Sequence, residues 1–146
     1  MNRRHLLHTS AFGLIATISV ASYAQSTMAL APKRPKLVLQ VSDNDPAKWN
    51  LALNNAKNVQ DDLGAANVDI EIVAYGPGIS MLMLESASGT RVSEALRAGV
   101  HIAACENTMR YQKLAKDDML PAIIYVPAGV TEIMRRQAEG WAYIRP

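Results

Sequence analysis

The stretch Leu37-Val38-Leu39-Gln40-Val41-Ser42-Asp43-Asn44-Asp45-Pro46, LVLQVSDNDP, governs the reading of the fold. Its first five residues have strand length and are apolar on both faces, the character of a strand inside a covered sheet. The polar turn that follows puts Asp45 where a helix N-cap sits. Pro46 takes the first helical position, where its missing N–H costs nothing. Beyond it Trp49, Leu51 to Leu53, Ala56, Val59 and Leu63 recur at helical spacing, and Gly64 closes the run. A buried strand leading directly into a capped helix is the opening of a β-α unit.

The same alternation continues along the chain. Strands are expected at residues 68–74, 100–105, 122–126 and 141–144. Between them stand a loop at Tyr75-Gly76-Pro77-Gly78, a short segment over 79–85, and a helix over about 90–98 stopped by Gly99. A helix capped by Asn107 or Thr108 follows, running to about residue 115. After a turn at Asp117-Asp118 comes the strand at 122–126, and a last helix over about 130–139 is ended by Gly140. This predicts a three-layer α/β fold: a five-stranded, mostly parallel sheet with helices on both faces, flavodoxin-like or Rossmann-like. In such a sheet the loops at the carboxyl ends of the strands, here 42–45, 75–78, 105–108 and 127–129, gather along the edge where ligands bind.

The residues before the domain read differently. Arg3 and Arg4, an apolar run over residues 11–21, and Ser22-Tyr23-Ala24 with small residues at alternate positions have the form of an export signal cleaved after residue 24. The run falls short of the ~20 residues that cross a bilayer. A removable signal is therefore expected, with an uncleaved anchor as the alternative and the only membrane contact foreseen. Residues 2–7, Asn-Arg-Arg-His-Leu-Leu, also resemble the twin-arginine export motif. The expected location is the periplasm, with residues 25–35 as a polar tether and 36–146 as the domain.

Charge and cysteine usage narrow the function classes. Arg3 and Arg4 account for the surplus of +2, and without them 13 basic residues face 13 acidic ones, interspersed along the chain. That distribution excludes the basic footprint of a nucleic-acid binder. One cysteine, Cys105, forbids an internal disulfide.

Cys105 ends a strand on the ligand-binding edge and has two readings. In one it is a working thiol, activated by the N–H groups of the following helix and opposed by the neighbouring Glu106. In the other it packs as a small apolar residue. His101 is no partner for it, because four residues of strand separate the two by about 13 Å. The turn Asp43-Asn44-Asp45 reads as capping in preference to a cation site, and Tyr75 to Gly78 lacks the glycine spacing and lysine of phosphate loops. Met81, Met83, Met109 and Met119 lie on separate elements and read as core in preference to copper ligands. With a single histidine outside the signal there is no Ser-His-Asp set. No metal or organic cofactor is expected.

Five stretches together carry a family likeness: residues 39–45, Trp49 to Ala56 (WNLALNNA), Val73-Ala74-Tyr75-Gly76-Pro77-Gly78, Ala104-Cys105-Glu106-Asn107-Thr108-Met109, and Val126-Pro127-Ala128-Gly129-Val130. They resemble the exported branch of the DsrE/DsrF-like family over about residues 36–145. The resemblance implies small α/β subunits of sulfur-relay systems that assemble as trimers or hexamers and carry sulfur as a persulfide on a cysteine at the end of the third strand. Cys105 matches that position. The relay members are cytoplasmic, whereas the signal here predicts export. On this reading Cys105 is the reacting residue, and Asn44, Tyr75, Gly76, Gly78, Glu106, Asn107 and Thr108 form the surrounding site. Lacking a second thiol, the chain would pass sulfur to another protein or a small molecule. The reading from a different class is a non-catalytic binding or assembly module in which Cys105 only packs. A redox sensor joined through an intermolecular disulfide is the third.

Overall fold

The computed structural model describes residues 34–146. The expected signal over 1–24 and the tether up to residue 33 lie outside the described residues. The five strands are β1 (Lys36–Val41), β2 (Asp69–Ala74), β3 (His101–Cys105), β4 (Ile124–Val126) and β5 (Ala142–Ile144). The helices are α1 (Pro46–Leu63), α2 (Gly89–Arg97), α3 (Glu106–Gln112) and α4 (Gly129–Ala138). Asp45 caps α1 by accepting the Ala47 N–H at 2.8 Å, and Gly64 ends it at φ 85°. Both match the start and stop read from the sequence.

The sheet order is β4-β3-β2-β1-β5, and all four pairings are parallel. Parallel crossovers are right-handed, so the direction of each step decides which face its helix covers. Three steps, β1 to β2 to β3 to β4, run the same way and put α1, α2 and α3 on one face. There Trp49, Leu53, Val92 and Met109 pack on Leu39, Ile72 and Ile102. The step from β4 to β5 returns past the whole sheet, which puts α4 on the opposite face. Ile133 packs there with Val38, Val73, Ala103, Val126 and Trp141.

α4 is thus the one helix covering its face among the described residues, and it is anchored by charge as well as by apolar contact. Glu71, fully buried in β2, meets Arg136 of α4 with an Nε to Oε2 distance of 2.6 Å. Arg136 Nε also lies 2.9 Å from Glu132 Oε1 and its guanidinium 4.7 Å from the Trp141 ring.

Several boundaries differ from expectation. The strand expected at 122–126 is only Ile124–Val126, because Ala122 turns the chain at φ 65°. Residues 79–85 resolve into a 3-10 helix, Gly76–Leu82, that begins inside the expected loop. α3 starts at Glu106, so neither Asn107 nor Thr108 caps it, and it stops at Gln112 where Lys113 turns left-handed at φ 58°.

Gly78 is fixed by a close approach between elements. A Cβ there would lie 2.4 Å from the Val41 carbonyl oxygen. Gly78→Ala must push the 3-10 helix off β1, and overpacking of this kind costs about 1–3 kcal/mol. A lower denaturation midpoint with an unchanged m-value is the expected result in urea titration.

Candidate functional site

β3 and β4 are neighbours whose chains leave in opposite directions, α3 to one face and α4 to the other. Where adjacent strands part in this way a crevice opens at their carboxyl ends, the usual ligand position in an open α/β sheet. Cys105 is the last residue of β3, in register with Val126 of β4. It therefore stands between the starts of both helices.

The thiol is only 4% exposed. Burial pushes its pKa up, but the Thr108 hydroxyl and the amides of Gly129, Thr108 and Asn107 act the other way and leave the thiol below its ordinary value. The Asn107 amide contributes least of these, and it donates to the Pro127 carbonyl at 3.1 Å. The Thr108 hydroxyl is oriented by its surroundings. Its oxygen accepts the Gly76 N–H at 2.9 Å, which leaves its one proton for the sulfur. Gly76, at φ 54°, is held further by Gln112, whose side-chain amide donates to the Gly76 carbonyl at 3.2 Å.

Gly129 is the residue that sequence reading left out of the site. Its amide reaches the thiol, and its bare Cα lets Tyr75 pack on the start of α4, since a Cβ would meet Tyr75 Cβ at 2.9 Å. A glycine opening a helix directly after a buried strand was the available signal. Only the tertiary arrangement brings it beside Cys105. The Tyr75 ring is half-buried in the α4-side cluster, and its hydroxyl is held above the usual tyrosine range by burial, with Tyr143 adding and Ser42 opposing.

The other expected residues divide. Thr108, Gly76 and Tyr75 surround the thiol directly or through one contact. Asn107 is exposed, and its side-chain oxygen is taken by Arg110. Glu106 is half-buried in the first turn of α3. Gly78 is absorbed in packing against β1. Asn44 is exposed in the loop after β1, a strand that lies two places from β3 in the sheet, about 10 Å away. Beside it, Asp43 is held below the usual carboxylate range by Lys48 and Arg145, and its carbonyl accepts Trp49 Nε1 at 2.7 Å.

His101 is exposed at the far end of β3, consistent with its rejection as a thiol partner. Met81, Met109 and Met119 are buried in the apolar core on the three-helix face. Among the described residues no three His, Cys, Asp or Glu side chains are grouped to hold a metal ion.

This arrangement favours a nucleophilic thiolate: a sulfur at a switch point, with a hydroxyl and backbone N–H groups directed at it. Thr108→Val removes the hydroxyl donor while keeping the shape. Hydrogen bonds to charged groups are worth about 1.5–3 kcal/mol, so the thiol pKa should rise by about one unit or more. The pH profile of iodoacetamide alkylation at Cys105 reads that shift.

The sequence pattern of the DsrE/DsrF-like family matches residues 36–146. A protein of unknown function from Methanobacterium thermoautotrophicum is similar in structure, at 39% identity and a TM-score of 0.73, over 77% of this chain and 99% of that one. A conserved protein of unknown function from Bacteroides thetaiotaomicron has the same fold at 16% identity and a TM-score of 0.61, over 76% of this chain and 94% of its own. No curated protein matches.

Proposed function

The chain belongs to the DsrE/DsrF-like family, and from that membership, which suggests a sulfur-relay role, we propose that it is a sulfur carrier holding a persulfide on Cys105. The observation that carries this reading is the convergence on one buried sulfur of the Thr108 hydroxyl and the Gly129 and Thr108 amides, which together outweigh its burial. The Cys105 thiolate attacks the outer sulfur of a donor persulfide. A new S–S bond forms at Cys105, the donor's S–S bond breaks, and the donor leaves as a thiolate. An acceptor thiolate then attacks the sulfur held on Cys105 and regenerates the Cys105 thiolate, so no external oxidant or reductant is consumed. The donor groups that hold the thiolate also hold the anionic persulfide.

The protein works in the periplasm, delivered by its N-terminal signal, and acts as a homo-oligomer, a trimer or hexamer, with a donor or acceptor protein as its partner. Exposed Ile124 on the edge strand β4, together with Val130 and Met134 on the outer side of α4, supports association through this face. Among the described residues no helix is long and apolar enough to cross a membrane.

The second reading is a non-catalytic binding module with a structural cysteine, and the 4% exposure of Cys105 favours it. Intact mass after incubation with polysulfide or thiosulfate separates the two. A gain of one sulfur that is absent in Cys105→Ala is the expected result for the carrier. No gain in a reduced native sample, with alkylation blocked until denaturation, would leave the binding module.

A further inference from the structure

Glu71 is a carboxylate in the middle of a parallel sheet with no exposed surface. On its face of the sheet its neighbours are Val38 of β1 and His101 of β3, the latter exposed. Above it lies α4, which supplies Arg136 at 2.6 Å and the buried Glu132. Arg135 pairs with Glu132 at 2.6 Å and with Glu139 at 2.8 Å, and Arg136 reaches Glu139 at 3.3 Å. Three carboxylates therefore meet two guanidiniums. The remaining charges near this end of the sheet are Arg34, paired with Asp69 at 3.1 Å, and Lys36, whose ammonium lies 5.8 Å over the Trp141 ring that Arg136 also covers.

Arg135 and Glu139 are exposed, so the buried part of the cluster is Glu71 and Glu132 against Arg136, and with all three ionised it carries one surplus negative charge, which burial makes costly. One proton removes it. Neither Glu71 oxygen has an aligned hydrogen-bond partner despite the short contact with Arg136. Burial, opposed by Arg136 and reinforced by Glu132, pushes Glu71 up to about 7. Burial also raises Glu132, but Arg135 and Arg136 outweigh it and keep that carboxyl below its ordinary value.

α4 links this cluster to the thiol. Its first residue, Gly129, touches Cys105, and Arg136, seven residues on, touches Glu71. Seven helical residues rise about 10 Å, comparable to the ~13 Å along β3 from the level of Glu71 to Cys105. We infer that a proton held between Glu71 and Glu132 locks α4 onto the sheet, and that its loss loosens the helix and opens the thiol site at the helix's other end. This regulates the site proposed above but rests only on the surroundings of the thiol. Failure of Cys105 to load sulfur would leave it standing.

The sign follows from linkage. A carboxyl whose folded pKa is raised favours the closed state below its ordinary value and progressively less as pH climbs to the raised one. Glu132, lowered, stays ionised throughout the neutral range and adds no slope there. With Glu71 at about 7 when closed and 4.5 when open, the opening constant rises about tenfold between about pH 6 and pH 8.

The test is iodoacetamide alkylation of Cys105 across that range, expressed per thiolate from ultraviolet absorbance. An approximately tenfold rise in the wild type, abolished in the isosteric Glu71→Gln, is the expected result. A flat wild-type profile, or an equal rise in a Glu71→Gln protein shown to be folded by circular dichroism, would overturn the inference. Carboxyl-carbon NMR of the wild-type protein gives an independent reading. Titration of Glu71 near 7 supports the lock, and titration at the ordinary glutamate value would refute it whether or not the variant folds.

Discussion

The constraint on which the rest depends is the handedness of the crossovers. Three connections step in one direction and one returns, and because parallel crossovers turn right-handed, the returning helix must lie alone on the opposite face. That requirement sends the helices that follow β3 and β4 to opposite faces and leaves Cys105 at the switch point between them. It also sends α4 diagonally over β3, β2 and β1. One helix consequently governs both a thiol at one edge of the sheet and a buried carboxylate in its interior.

The thiol site is a competition between burial and hydrogen bonding. Desolvation of Cys105 favours the neutral thiol, while Thr108, Gly129 and the start of α3 favour the thiolate and prevail. The same packing that excludes water strengthens these polar contacts. A sulfur so placed is shielded from solvent and at the same time held toward its thiolate. The α4 cluster has the opposite balance at Glu71, where burial prevails over the arginine and the carboxyl is held toward its neutral form.

Much of the fold was legible in local sequence. The apolar run of β1, Asp45 and Pro46 at the start of α1, and Gly64 at its end are short-range signals, and they read correctly because their physics is short-range. Boundaries failed where tertiary contact overrode local preference. Thr108 looked like a helix cap, but its oxygen is engaged by Gly76, 32 residues earlier, and α3 begins at Glu106 without a side-chain cap. Gly78 looked like part of a ligand loop, but the backbone of β1 occupies the space that a side chain would need. Gly129 stood in a loop expected on the ligand edge, but its contact with the thiol depends on the pairing of β4 with β3 and on the turn of α4 to the other face.

By itself the sequence determined the class of fold, the end of the third strand as the position of Cys105, and the family likeness that gives that position meaning. Periodicity, capping and residue type encode these within a few turns of chain. Strand order, the isolation of α4, the meeting of Gly129 and Thr108 at one sulfur, and the burial of Glu71 beneath Arg136 were decided only in three dimensions. Each depends on residues tens of positions apart being brought together by crossover direction and packing, which no local pattern records.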